Sequence, residues 1–368
     1  MTILGTRPEI IRLCRILPKM DEYFDHKIVF TQQSYDYELS DIFFREFDLR
    51  KPDYVLDVKS DTLGGQIANI FSQIEPLLLK EKPNALFVLG DTNTTLSAIL
   101  AKRFKILIFH MEAGNRAFDW DVPEEVNRRI VDHISDYNLC YTKHAKEYLV
   151  EEGISPQRIF VVGSPFAEVF FHFSEKIESS KILDDLNILP YQYFLVSAHR
   201  EENIDNDQNL HELLIACNTV AKNYNFPIIV SCHPRTKKRL KQLQIRLDKR
   251  IKIMKPFGYF DYNKLQKNAL CVLSDSGSIQ EESAILGFRA IQIRKSTERP
   301  EAFDAGSIIL TGLHKDVILP AIQCVIGQEE KGEKSMIPED YKDATVSSKV
   351  IRLILGLTGI KTYHDRKL

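Results

Sequence analysis

Short apolar runs alternate with stretches whose apolar residues recur every three or four positions, and the alternation holds along most of the chain. The runs Thr2–Leu4, Lys27–Phe30, Ala85–Leu89, Ile106–Phe109, Tyr137–Tyr141 and Ile159–Val162 read as strands buried on both faces. Between them, Ile10, Ile11, Leu13, Cys14 and Leu17 share helical spacing after Pro8, and helices are also predicted over 66–79 and 95–104. A further helix starts at Pro123 and runs through Val126, Ile130, Val131 and Ile134, while 61–65 reads as a polar loop. Gly163-Ser164-Pro165 interrupts the pattern, and an aromatic and charged connection, 166–189, follows. A second series then begins: strands Phe194–Ala198, Ile228–Ser231, Ile251–Met254, Cys271–Leu273 and Ala290–Ile293, with a helix over 209–224. A last amphipathic helix spans 349–357, and the tail from Gly359 is expected to fray. Strands alternating with helices predict an α/β protein with doubly wound parallel sheets. The expected domains are 1–165, 166–345, and a C-terminal helix and tail, 346–368, free to pack back on the first domain.

Composition narrows the function classes. A chain of 368 residues suits two α/β domains. With 44% hydrophobic residues, 27% charged residues and a net charge of -2, it carries no electrostatic footprint for nucleic acid or an anionic membrane. No uncharged apolar stretch reaches the ~18 residues of a spanning helix, and Arg7, Glu9 and Arg12 come too early for a signal peptide. The six cysteines form no CxxC pair and sit mostly in apolar runs, as buried thiols of a cytoplasmic protein do.

The chemistry gathers at strand ends. Gly5, Asp91, Glu112, His199, His233 and Asp275 each follow the carboxyl end of an apolar run, the rim where open α/β sheets bind ligands. The first half supplies carboxylates, Asp91, Glu112, Glu124 and Glu125, together with Arg7, Arg12 and Arg116. The second half supplies CVLSDSGSIQEESAIL at 271–286, a strand, a Ser/Gly turn and a helix start. There Ser278 and Glu281 have capping-box spacing, Gly277 suits a left-handed turn, and free N–H groups favour an anion. Glu281 and Glu282 lie where a carboxylate can accept ribose hydroxyls; His199, His233, Phe257, Tyr262 and Arg299 complete that half. GxGxxG is absent from the first turn, and no GxxxxGK[ST] or HExxH occurs. A phosphorylated, nucleotide-bearing ligand held by the second half, with carboxylates reaching it from the first, fits best. Structural readings stand beside these: Asp91 as a helix cap, Glu112 paired to Arg116, Glu124 paired to Arg128, and His199, Phe257 and Tyr262 as core residues.

The motifs GTRPE at 5–9, GDT at 90–92, EAG at 112–114, PEE-x-NR at 123–128, HREEN at 199–203, DSG-x-IQEE at 275–282 and ERPEA at 298–302 occur in one order. Together they resemble the non-hydrolysing UDP-N-acetylglucosamine 2-epimerases over most of the chain. The resemblance implies two Rossmann-like domains facing across a cleft, a glycosyltransferase-B-like fold, and a homodimer. It implies reversible inversion at C2 of a UDP-linked 2-acetamido sugar, through elimination of UDP to a 2-acetamidoglycal and re-addition, for surface polysaccharide precursors. No metal or redox cofactor is implied. By position, Asp91, Glu112, Glu124 and His199 match the catalytic set. Arg7, Ser276, Gly277, Glu282 and Arg299 match nucleotide and diphosphate contacts, and Phe257 and Tyr262 match uracil contacts; Arg12, Arg116, His233 and Ser278 complete the substrate-binding set. The chain departs from the commonest pattern at Glu201, Arg12, Asn115 and the loop 117–122. In HMEAGNR at 110–116, HREEN at 199–203 and SDSGSIQEES at 274–283 it looks more like the branch that makes UDP-N-acetyl-L-fucosamine from a UDP-linked 2-acetamido-2,6-dideoxy-L-talose. A glycosyltransferase of the same fold, a hydrolysing relative and a silent UDP-sugar sensor are the competing readings.

Overall fold

In the computed structural model the described residues are 1–32, 43–120, 122–232, 239, 245–333 and 336–365. The chain forms two units, Met1–Val169 with Glu339–Leu368, and Phe170–Pro338. The first crossing falls a few residues past Pro165, and the chain returns to the first unit at Glu339, ahead of the last helix.

In the first unit the strands are β1 (Thr2–Leu4), β2 (Ile28–Phe30), β3 (Tyr54–Val55), β4 (Ala85–Leu89), β5 (Leu107–Met111), β6 (Tyr137–Cys140) and β7 (Ile159–Val161). They pair, all parallel, in the order β3-β2-β1-β4-β5-β6-β7. In the second unit β8 (Phe194–Ser197), β9 (Ile228–Ser231), β10 (Ile251–Met254), β11 (Cys271–Ser274), β12 (Ala290–Gln292) and β13 (Ile309–Leu310) pair in parallel as β10-β9-β8-β11-β12-β13. Each order reverses direction next to its first strand, between β1 and β4 and between β8 and β11. Those reversals are the switch points where such sheets open a crevice.

The apolar runs are continuous because helices cover both faces of each sheet. In the second unit Phe194 and Val196 join one apolar cluster with Val230, Leu273 and Ile291, whereas Leu195 joins another with Ile229, Val272 and Ala290. In the first unit Ile3, Val29, Leu86, Val88 and Ile108 pack against Ile70, Ile74 and Leu78 of the helix Leu63–Glu81.

Several expectations are corrected. The loop at 61–65 is a helix start: Thr62 accepts a hydrogen bond from Gly65 N at 3.1 Å and the helix runs from Leu63. The first predicted helix is two, Arg7–Leu13 and Ile16–Tyr23. The connection 166–189 holds the helices Phe166–His172, Ser174–Glu178 and Ile182–Leu186. The last helix does not stop at 357 but spans Val346–Asp365, and its start is tied to the first unit. Ser347 N donates to Glu168 Oε2 at 2.8 Å, and Lys19 Nζ donates to Ser348 Oγ at 2.6 Å. The two-residue edge strands β3 and β13 are too short for a periodicity to reveal.

Candidate active site

At the switch point of the first unit, the turn after β1 is already filled. Glu9 reaches back from the helix Arg7–Leu13, and its Oε2 accepts from Gly5 N at 3.0 Å, Thr6 N at 2.8 Å and Thr6 Oγ1 at 2.7 Å. The N–H groups that would greet an anion are spent on this internal carboxyl group. Burial drives its pKa up to about 7, against the pull of the hydrogen bonds from Thr6 and Gly5. Arg7 lies 4.2 Å over the ring of Phe43.

Asp91 follows β4, and Arg128 grips its carboxylate: Nη2 to Oδ2 is 2.5 Å and Nε to Oδ2 is 3.1 Å. Asp91 is thus one end of an ion pair rather than a helix cap. Glu112 follows β5 with φ +65, a left-handed conformation that costs a non-glycine residue about 1–3 kcal/mol. It is buried, and its Oε2 stands 3.1 Å from Arg12 Nη1. A Cβ on Gly90, itself at φ +72, would come within 3.4 Å of the same Oε2. The strand ends therefore bring Glu112 beside Gly90-Asp91, with Arg12 rather than Arg116 as its partner.

Arg116 is a correction. Its guanidinium is buried, Nη1 bonds Asp132 Oδ2 at 2.7 Å, and Nη2 and Nε bond Glu152 at 2.6 Å and 2.8 Å. Four of its N–H donors face these partners and the Asn115 carbonyl, which suits a structural tie and not a substrate contact. The carboxylate that pairs with Arg128 from the helix Pro123–Ile134 is Glu125, at 2.8 Å, not Glu124. Glu125 is fully buried and also takes Arg129, whereas Glu124 is half-buried in the first turn. His110, buried on β5, places Nε2 2.7 Å from Gly90 O and Nδ1 2.9 Å from Asp132.

At the switch point of the second unit, Asp275 follows β11 and accepts from the backbone N–H groups of His199 and Arg200, all at 3.0 Å. The His199 residue itself is exposed. The turn Ser276-Gly277-Ser278 leads into the helix Ile279–Leu286, whose start has no side-chain cap. The expected capping box is absent: Ser278 Oγ donates instead to Glu282 Oε1 at 2.7 Å, and Gln266 Nε2 holds the other oxygen at 2.7 Å. Ser276 Oγ lies 2.9 Å from Ser278 Oγ. Gly277 does not take a positive φ; a Cβ there would come within 3.1 Å of Glu298 Oε1, so the Glu298 carboxylate would have to shift slightly. Glu281 turns inward to Arg299 Nη2 at 3.2 Å, and both are buried. Arg299 therefore braces the helix from beneath, and Glu281 is not placed to meet a ribose. Phe257 and Tyr262 are half-buried against the apolar cluster of Tyr193 and Leu195. His233 lies outside the described residues. Among the described residues no group of His, Cys, Asp and Glu is arranged to hold a metal, and no helix is long and apolar enough to cross a membrane. All six cysteines are free thiols, five of them buried.

Sequence reasoning passed over Glu9, Asp132 and Glu152, and took Arg128 only as a partner for Glu124. The Thr6-x-x-Glu9 spacing and the i, i+3 and i, i+4 placement of Glu125, Arg128 and Arg129 were the available signals.

Two doubly wound parallel units, with carboxylates at one switch point and an uncapped helix start at the other, define a glycosyltransferase-B-like α/β protein. Residues 18–355 match the family described as UDP-N-acetylglucosamine 2-epimerase, and the chain belongs to that family. A UDP-N-acetylglucosamine 2-epimerase of Methanocaldococcus jannaschii is 40% identical over 336 residues, 89% of this chain and 92% of the relative. The structure of a UDP-N-acetylglucosamine 2-epimerase from Rickettsia bellii is similar with a TM-score of 0.90 and 44% identity, covering 98% of this chain and 96% of that one. The Methanocaldococcus jannaschii UDP-GlcNAc 2-epimerase in complex with UDP-GlcNAc and UDP is similar with a TM-score of 0.89 and 38% identity, covering 96% of this chain and 98% of that one.

Proposed function

We propose that this chain inverts C2 of UDP-N-acetylglucosamine reversibly, giving UDP-N-acetylmannosamine, by eliminating and re-adding UDP. Family membership supports the reaction, and the observation that carries it to particular residues is Glu112. A buried carboxylate held in a left-handed conformation beside Gly90-Asp91 is a strained, oriented group of the kind that proton abstraction needs.

In the forward direction a base takes the C2 proton, the electron pair forms the C1–C2 double bond, and the C1–O bond breaks to release UDP. In the return, the UDP oxygen re-forms the bond to C1 while an acid delivers a proton to the opposite face of C2. Inversion needs acid-base groups for two faces, which Asp91 and Glu112, on separate loops, provide; Glu124 is a third carboxylate of the same unit. Arg128 and Arg12 hold Asp91 and Glu112 in place. In the second unit, the turn Ser276-Gly277-Ser278 and the uncapped N–H groups after it receive the diphosphate. Glu282, fixed by Ser278 and Gln266, accepts ribose hydroxyls, Phe257 and Tyr262 take the uracil, and His199 assists the leaving group.

Incubation with UDP-N-acetylglucosamine in deuterated water, without added cofactor, should place deuterium at C2. Exchange only with the 6-deoxy-L-talo sugar would move the substrate to the L-sugar branch, and exchange with neither would overturn the reading. The homodimer that the resemblance implies is checked by light scattering, where a monomeric mass would refute it.

A further inference from the structure

Asp275 sits one residue beyond the last paired rung of β8 and β11, where Ser197 faces Ser274. Its own N–H still donates to Ser197 O at 3.1 Å, so its backbone continues the ladder. The partner strand does not continue: after Ala198 the chain turns into the short helix Glu201–Ile204. The Asp275 carboxylate closes the gap. Both its oxygens lie 3.0 Å from His199 N, and Oδ2 lies 3.0 Å from Arg200 N and 3.0 Å from Asn203 Nδ2. Asn203 Nδ2 also reaches Ile293 O at 3.4 Å, past the end of β12. Asp275 and Asn203 are both buried, whereas His199 is exposed.

A buried carboxylate bonded by three N–H groups of one five-residue segment fixes that segment far more firmly than its exposure would suggest. From this geometry we infer that Asp275 is a positioning residue for the reaction. It locks the backbone of 199–203 so that the His199 imidazole starts from a rigid base. The inference rests on the proposed role of His199. An asparagine at 275 keeps the size and one acceptor oxygen, but it loses the charge and sets an NH2 group against the N–H of His199, which both oxygens meet, so the segment is held more weakly while β11 keeps its backbone pairing.

The test is a double-mutant cycle between Asp275→Asn and His199→Ala, followed by deuterium exchange at C2, which registers slow turnover. Asp275→Asn should lower kcat by about 10–100-fold, the scale of a misplaced catalytic group, with UDP affinity by calorimetry nearly unchanged. In the His199→Ala background the same substitution should cost no more than about twofold further. Equal losses in both backgrounds, or a loss of UDP affinity in place of kcat, would overturn the proposal and leave the role of His199 standing. Wild-type turnover by His199→Ala alone would remove that role and the proposal with it. Asn203→Ala, which spares Asp275 and its backbone partners, covers the case in which Asp275→Asn does not fold. It should show a smaller loss of kcat with the same non-additivity, and additivity there also overturns the proposal.

Discussion

At the scale of the residue, the site is made by carboxylates that the protein holds under different conditions. Glu112 is strained and paired, Asp91 is paired at a partly exposed position, and Glu9 is buried without a cation among its closest hydrogen-bond partners. Asp91→Asn and Glu112→Gln should each cut turnover by about 10²–10⁴-fold, the usual worth of a general acid or base. UDP affinity should survive in both, because the nucleotide groups belong to the other unit; calorimetry showing that UDP binding collapses would make these residues structural. Glu9 carries a pH signature. Its folded pKa of about 7 lies above the ordinary 4.5, so the folded chain keeps a proton that the unfolded chain releases. The stability tied to that proton is fully present below pH 4.5 and is lost as pH rises through 7. An amide at 9 never ionises. The Tm of Glu9→Gln should therefore gain on wild type as pH rises from about 5 to about 8; a gap independent of pH would show that Glu9 titrates alike in both states.

At the scale of the element, the ends of β4 and β5 and the helix Pro123–Ile134 are joined by one circuit of charge. Asp91 pairs with Arg128, Arg128 with Glu125, Glu125 with Arg129, Arg129 with Glu152, Glu152 with Arg116, and Arg116 with Asp132. His110 then links Asp132 to the carbonyl of Gly90, the neighbour of Asp91. Removing one buried member strands its partner's charge, so Arg128→Ala should cost about 3–5 kcal/mol in chemical denaturation. Lys102→Ala, at a more exposed pair with Asp136, should cost about 1 kcal/mol or less. Similar losses in the two variants would mean that the circuit is no tighter than a surface pair. The strands and the helix start at Pro123 are readable from apolar runs and a proline. The circuit is not, because Arg116 meets Asp132 and Glu152 only when the loop after β5, the helix after it and the next helix are stacked. The same limit explains the reversal at Glu281 and Glu282, adjacent residues on a helix whose inward and outward directions depend on what lies beneath.

At the scale of the whole molecule, the last helix belongs to the unit that the chain leaves first. Its anchors, Glu168 and Lys19, lie in the first unit, and Ser164 N donates to Asp340 O at 3.1 Å just ahead of it. A chain ended at 338 should leave the first unit with an uncovered apolar face and a lower Tm. The fragment 170–338, which keeps its own two apolar clusters, should unfold cooperatively by circular dichroism. A fragment without a cooperative transition would show that the second unit cannot stand alone.

The order of strands and helices, the doubly wound class and the positions of Asp91, Glu112, His199 and Ser276 at strand ends follow from the sequence by itself. Apolar periodicity and turn chemistry are local properties, written within a few residues of where they act. What each polar side chain faces was decided only by tertiary structure. Glu9 fills the first turn, Asp275 holds the backbone of His199, Arg299 turns to Glu281 under its helix, and Arg12 takes the place beside Glu112 expected of Arg116. A charge seeks its partner across space once packing has removed water, and no local pattern records which distant residue will be there.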